Sequence, residues 1–101
     1  MALTIEMIRD GGDLTVALGG RLNGASAQEL EAKLRPALTG DVKNVTIDLG
    51  ELEYVSSAGL RVLLSAQKIM NRQGKMVVRN VSDAVMDVFD VTGFMDLLNI
   101  E

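Results

Sequence analysis

The sequence predicts an α/β fold: a mixed four- to five-stranded sheet with helices packed mainly on one face. Three observations predict it. Short β-leaning runs with alternating or continuous apolar residues occur at 3–9, 14–18, 44–49 and 76–79. Between and after them, three segments repeat apolar residues every three to four positions, as helices do. The resulting order is strand–strand–helix–strand–helix–strand–helix. Strands linked through helices must cross over, so they pair in parallel and the helices cover the sheet. A chain of 101 residues, 48% apolar and 24% charged, has the size and composition of one soluble domain spanning 1–101. Two Phe, one Tyr and no Trp leave the core to Leu, Val, Ile, Ala and Met.

Residues 3–9 and 14–18 are joined by Asp10-Gly11-Gly12-Asp13, which reads as a tight hairpin turn. Gly19-Gly20 then interrupts the second strand as a bulge or strand end. Ser26-Ala27-Gln28-Glu29 matches a capping box, and Leu30, Leu34 and Leu38 follow at four-residue spacing. This predicts an amphipathic helix over 26–38, with a bend or early end at Pro36. Val45, Ile47 and Leu49 mark the third strand, over 44–49. A second helix runs over 58–73, with Leu60, Leu63, Leu64 and Met70 inward and Arg61, Ser65, Lys68 and Arg72 as one polar stripe. Gly74 ends it, and Met76–Arg79 is the fourth strand. Ser82-Asp83 starts a third helix through Val91, with Val85, Val88 and Phe89 inward and Thr92-Gly93 as its stop. Residues 94–100 close the domain as a short helical turn or a terminal strand.

Composition removes several classes of function. A net charge of −4 with both signs mixed along the chain offers no basic face for nucleic acid. Without cysteine there is no disulfide, thiolate nucleophile or zinc–sulfur site, which fits a reducing cytoplasm. Without histidine there is no Ser-His-Asp triad. Ser65-Ala66-Gln67-Lys68 spells S-x-x-K, but the S-D-N and K-T-G partners of that motif are missing. The acidic groups Asp48, Glu51 and Glu53, and Asp83, Asp87, Asp90 and Asp96, read as solvated side chains. No calcium loop and no phosphate-cradling glycine motif is present, so neither metal nor cofactor is expected. The opening Met1-Ala2-Leu3-Thr4-Ile5-Glu6 has no secretory pattern, and no apolar run reaches the ~20 residues of a membrane span. A cytoplasmic, non-enzymatic protein without membrane contact is the expectation.

The most informative stretch is Tyr54-Val55-Ser56-Ser57-Ala58-Gly59-Leu60. Two hydroxyls stand where a buried strand hands over to a helix. A helix N-terminus has unpaired N–H groups and about +0.5 of dipole charge, a natural seat for a phosphate. One serine suffices as a cap. The second, beside small Ala58 and Gly59, leaves the joint open to another protein's active site.

The run from Val45 to Leu64 resembles the signature of the STAS domain family in its small bacterial form, the anti-sigma factor antagonists. The resemblance rests on Ile47-Asp48-Leu49, the approach Leu52-Glu53-Tyr54-Val55, and Ser56-Ser57-Ala58-Gly59-Leu60 at the helix start. Gly20-Arg21-Leu22-Asn23 with the following helix is similar to the family's earlier G-x-L-D block. Val91-Thr92-Gly93-Phe94 through Leu98 is similar to its closing segment, so coverage is essentially the whole chain. Two positions depart from the pattern: Ser56 and Asn23 each stand where Asp is frequent.

The resemblance implies a mechanism. The unmodified protein binds an anti-sigma factor that is also an ATP-dependent serine kinase, and the sigma factor is freed. Phosphorylation of a serine at the start of the second helix dissolves the complex, and a serine phosphatase resets it. Alignment on Gly59-Leu60 puts the modified residue at Ser57, with Ser56 ranked behind it. The implied partner surface is Tyr54, Val55, Ser56, Ser57, Ala58 and Gly59 with Arg61, Ser65, Lys68 and Arg72, on a chain that is a monomer when free. Two alternatives keep the fold: a constitutive STAS interaction module whose serine is only a cap, and a nucleotide-binding STAS domain. A small enzyme is disfavoured by the missing histidine and cysteine.

Overall fold

The computed structural model describes residues 3–101; Met1 and Ala2, at which the reading of the N-terminus begins, lie outside the described residues. Strands β1 (Leu3–Asp10) and β2 (Asp13–Leu22) form the antiparallel hairpin, closed by the pair Asp10↔Asp13. Then come α1 (Gly24–Ala37), β3 (Asn44–Val55), α2 (Ser57–Gln73), β4 (Lys75–Arg79), α3 (Asp83–Thr92) and a 3-10 turn at Phe94–Asp96. The sheet has the order β1-β2-β3-β4, with β3 parallel to β2 and β4 parallel to β3. Mixed pairing follows from the connections: a two-residue turn for the hairpin, a helix for each crossover.

Alternation places Leu14, Val16 and Leu18 of β2, Val45, Ile47 and Leu49 of β3, and Met76 and Val78 of β4 on one buried face. They share a single core with Leu30 and Leu34 of α1, Leu60, Leu63 and Met70 of α2, and Val85 and Phe89 of α3. The helices therefore lie on one face. The opposite face carries the row Ile8, Thr15, Thr46 and Val77, aligned across all four strands by the register.

Several boundaries differ from the sequence reading. Helix α1 begins earlier, and its cap is Asn23 rather than Ser26. Asn23 Oδ1 accepts from the Ala25 and Ser26 N–H groups, while Ser26 Oγ accepts from the Asn23 N–H at 2.8 Å. Ser26 is thus the returning arm of the box, not its cap. Pro36 sits one residue before the helix end at Ala37. Strand β2 continues through Gly19-Gly20 to Leu22, with register shifts at those glycines, so of the two alternatives there the bulge holds and the strand end does not. Strand β3 runs six residues beyond 49, to Val55. In α2, Leu64 is half-buried and Val62 joins the core in its place. The closing segment forms a 3-10 turn, and in place of a terminal strand it makes an isolated parallel bridge from Ile100 to Val78. Buried Gln67 ties α2 to this segment, accepting from the Asn99 N–H at 3.4 Å and donating to Asn71 Oδ1 at 3.0 Å.

Candidate functional site: the joint between β3 and α2

β2 and β3 end as a parallel pair, Leu22 beside Val55, and each hands over to a helix within two residues. The N-termini of α1 and α2 therefore open side by side. The Ser56 N–H donates to the Leu22 carbonyl at 2.8 Å, which carries the parallel ladder right up to the cap of α2. Neither helix has an acidic residue in its first turn. Two positive dipole ends lie together, and neither first turn supplies a carboxylate to offset them.

The two serines divide the work. Ser56 is the cap: its backbone is extended (φ −96°, ψ 170°) and its Oγ accepts from the Gly59 N–H at 3.3 Å. Ser57 is the first residue of the helix and is exposed, and among the described residues its Oγ makes no hydrogen bond. Capping is complete without Ser57, and its hydroxyl is left to solvent.

The remaining predicted site residues separate into two layers. Tyr54, Arg61, Lys68 and Arg72 are exposed, and Ala58 and Ser65 are half-buried. Val55 and Gly59 are buried, so the surface reading does not hold for their side chains. Gly59 does not clear space for a visitor, as its small size suggested. A Cβ there would lie 2.5 Å from Leu22 Cγ and 3.2 Å from Val55 Cγ2, so its size is spent on inward packing of α2 against the strand ends. Ser65 turns from the stripe toward α1, lining a shallow cleft with Leu34, Arg35 and Ile69. The groove nearer the joint is lined by Gly24, Ala27 and Gln28 of α1 with Ala58, Arg61 and Val62 of α2. Arg61 makes no ion pair among the described residues.

Arg21 was not among the sequence-predicted site residues. It pairs across the strands with Tyr54, and its guanidinium carbon lies 4.4 Å from the ring centroid. Such a stack contributes about 0.5–1 kcal/mol at an exposed position and holds the ring beside the joint. Only the β2–β3 register reveals the pair. Behind the joint, Asp48 Oδ1 accepts from the Gly50 N–H and from Asn80 Nδ2, so this carboxylate is engaged locally.

Known proteins agree with this architecture. The family model described as "Mlab, STAS domain" matches residues 6–99. BtrV of Bordetella bronchiseptica is 39% identical over 101 residues, covering 99% of this chain and 85% of that protein. The anti-sigma-B factor antagonist of Staphylococcus epidermidis is 31% identical, over 99% of this chain and 94% of that one. The Bacillus cell fate determinant SpoIIAA, solved in its phosphorylated form, shares the fold with a TM-score of 0.73 at 20% identity, covering 99% of this chain and 91% of that one. With a sheet of this order, helices on one face and a serine-capped α2, the chain belongs to the STAS domain family, among the anti-sigma factor antagonists.

Proposed function

We propose that this chain is an anti-sigma factor antagonist controlled by phosphorylation of Ser57. In its unmodified form it binds an anti-sigma factor that has serine-kinase activity, and the sigma factor is released. The kinase modifies Ser57, the complex separates, and a serine phosphatase restores the hydroxyl. The chain acts by binding rather than by catalysis, in the cytoplasm. The observation that carries this reading is the division between the serines: Ser56 Oγ caps the helix, and Ser57 is exposed and, among the described residues, without a hydrogen bond from its hydroxyl. The antagonist name of the Staphylococcus epidermidis relative and the phosphorylated state of SpoIIAA support it.

The physics of the switch follows from that position. A phosphate on Ser57 adds about −1.5 to −2 charges at neutral pH. At a helix N-terminus the domain tolerates it, with about 0.3–1 kcal/mol of favourable dipole interaction. Its cost falls on the partner, which would have to desolvate a dianion against a surface shaped for a hydroxyl. A hundredfold loss of affinity requires only about 2.7 kcal/mol. The partner surface is the Tyr54–Ala58 rim with Arg61, Lys68 and Arg72, underlain by buried Val55 and Gly59.

The test is incubation with the cognate kinase and ATP, read by intact mass, for the native chain, Ser57→Ala and Ser56→Ala. One phosphate on the native chain and on Ser56→Ala, but none on Ser57→Ala, is the expected result. Ser57→Asp should bind the kinase about a hundredfold more weakly while unfolding like the native chain. Unchanged affinity in Ser57→Asp would return the chain to a constitutive interaction module.

A further inference from the structure

Charge is sorted between the helices. α2 carries Arg61, Lys68 and Arg72 and no acidic residue, whereas residues 80–101 contain five carboxylate side chains and no Lys or Arg. The same C-terminal stretch holds three large apolar side chains open to solvent: Val91 at 87%, Met95 at 42% and Leu97 at 52%. They fall within seven residues of one another, around the corner that Gly93 turns between α3 and the 3-10 turn. On α3, Asp87 stands one turn before Val91 with Asp90 alongside, on the face opposite buried Val85 and Phe89. Asp96 lies between Met95 and Leu97 and is exposed. None of these aspartates is in an ion pair among the described residues. α3 packs on β3 and the 3-10 turn. It starts after the C-terminal end of β4, so its own C-terminal corner lies toward the opposite end of the sheet from Ser57.

We infer that the α3 corner is a second docking surface, and that its occupant is a cationic amphipathic helix of another protein. Single exposed apolar side chains are ordinary, but three gathered beside unpaired carboxylates mark an interaction surface. Charge complementarity selects the occupant. An apolar strip covers Val91, Met95 and Leu97, and flanking Lys or Arg residues meet Asp87, Asp90 and Asp96. An acidic or neutral strip would leave those carboxylates partly desolvated and unmatched. A second copy of this chain is a poorer match. The exposed positions Arg61, Lys68, Asn71 and Arg72 of α2 supply charge without an apolar group. Because the corner lies toward the opposite end of the sheet from Ser57, a helix seated there leaves that hydroxyl open.

The test uses amide NMR shifts of the isotope-labelled full chain. It is titrated with a synthetic Leu/Lys amphipathic peptide and, separately, with its Leu/Glu counterpart. Saturable shifts gathered in residues 83–98 are expected with the Leu/Lys peptide alone. Val91→Ser combined with Leu97→Ser, both at exposed positions, should weaken binding about tenfold with the remaining spectrum unchanged. Asp87→Asn combined with Asp90→Asn should reduce the salt dependence of binding. The inference is overturned by an absence of shifts, by equal binding of the Leu/Glu peptide, or by shifts scattered over Asp10, Glu51 and Glu53. It is equally overturned if residues 83–98 shift on dilution without peptide, which would identify a second copy as the occupant.

Discussion

The two ends of the parallel strands are finished in opposite ways. Where β2, β3 and β4 begin, side chains and backbone knit the loops together. Gln73 Nε2 donates to the carbonyls of Thr39 at 2.6 Å and Val42 at 2.9 Å, tying the end of α2 to the loop after α1. Arg9 reaches Asp41 at 2.7 Å, and the Gly12 carbonyl accepts from the N–H groups of both Lys43 and Asn44. Where β2 and β3 end, the closing contacts are two helix caps, the Ser56 N–H to Leu22 carbonyl hydrogen bond and the Arg21–Tyr54 stack, and Tyr54, Ser57 and Arg61 face solvent. One end spends its polar groups on itself, and the other leaves them available. Binding surfaces belong on the second kind, held in place by the first.

The sharpest break in this comparison is at Gly74, in the knitted end. A Cβ there would lie 1.9 Å from the Lys43 carbonyl oxygen, a main-chain atom whose partner is the Lys75 N–H. Neither backbone can yield without opening the β3–β4 ladder. Gly74→Ala should therefore destabilise the chain by about 3 kcal/mol or more, read from denaturant midpoints. Gly59→Ala tests the other end, where the obstacle is the Leu22 side chain at 2.5 Å. Overpacking of about 1–3 kcal/mol opposes about 1 kcal/mol gained by replacing a helical glycine, so a net loss of up to roughly 2 kcal/mol is expected. Stabilisation by Gly59→Ala would show that the joint has slack the coordinates do not suggest.

Next in size is the division between the serines. Ser56→Ala removes the cap of α2 and should lower stability by about 1 kcal/mol. Ser57→Ala removes an exposed, unbonded hydroxyl and should change stability by less than about 0.5 kcal/mol. Thermal unfolding of the two variants side by side decides it. Equal losses would mean that both hydroxyls serve the helix end, and the open finish at the joint would vanish.

These residues also show how far sequence reasoning reaches. Element order, a serine at the N-terminus of α2 and the start of α3 at Ser82-Asp83 were legible because caps, turns and periodicity are local, although α2 begins at Ser57 rather than at 58. The start of α1 was misplaced because two boxes overlap. Ser26 with Glu29 fits as well as Asn23 with Ser26, and the end of β2 at Leu22, fixed by its pairing with Val55, selects the second. β3 was cut short at Leu49 because Gly50 and the exposed Glu51 break the alternation, although the chain stays paired to Val55. Arg21 over Tyr54 and Gly74 against Lys43 depend on register and on close approach between distant segments. Such contacts leave no trace in local spacing.

The smallest expected effect concerns acid, and it belongs to the knitted end. The Asp41 carboxyl is held down to about 2, first by the Thr39 hydroxyl that donates to it and then by the Arg9 guanidinium. A carboxyl lowered on folding contributes its stability above its unfolded value, 3.8, and loses it as pH falls through about 2. The group is fully exposed, so solvent screens the pair and the effect is modest. Between about pH 4 and pH 2 the native chain should lose stability more steeply than Asp41→Asn, and above that window the difference should be constant. The joint offers a built-in contrast: Ser57→Ala removes no titrating group and should keep the native acid slope. If Asp41→Asn tracks the native chain through that window, the Arg9–Thr39–Asp41 cluster contributes nothing to holding the loop. The knitted end would then rest on its backbone contacts and on Gln73 alone.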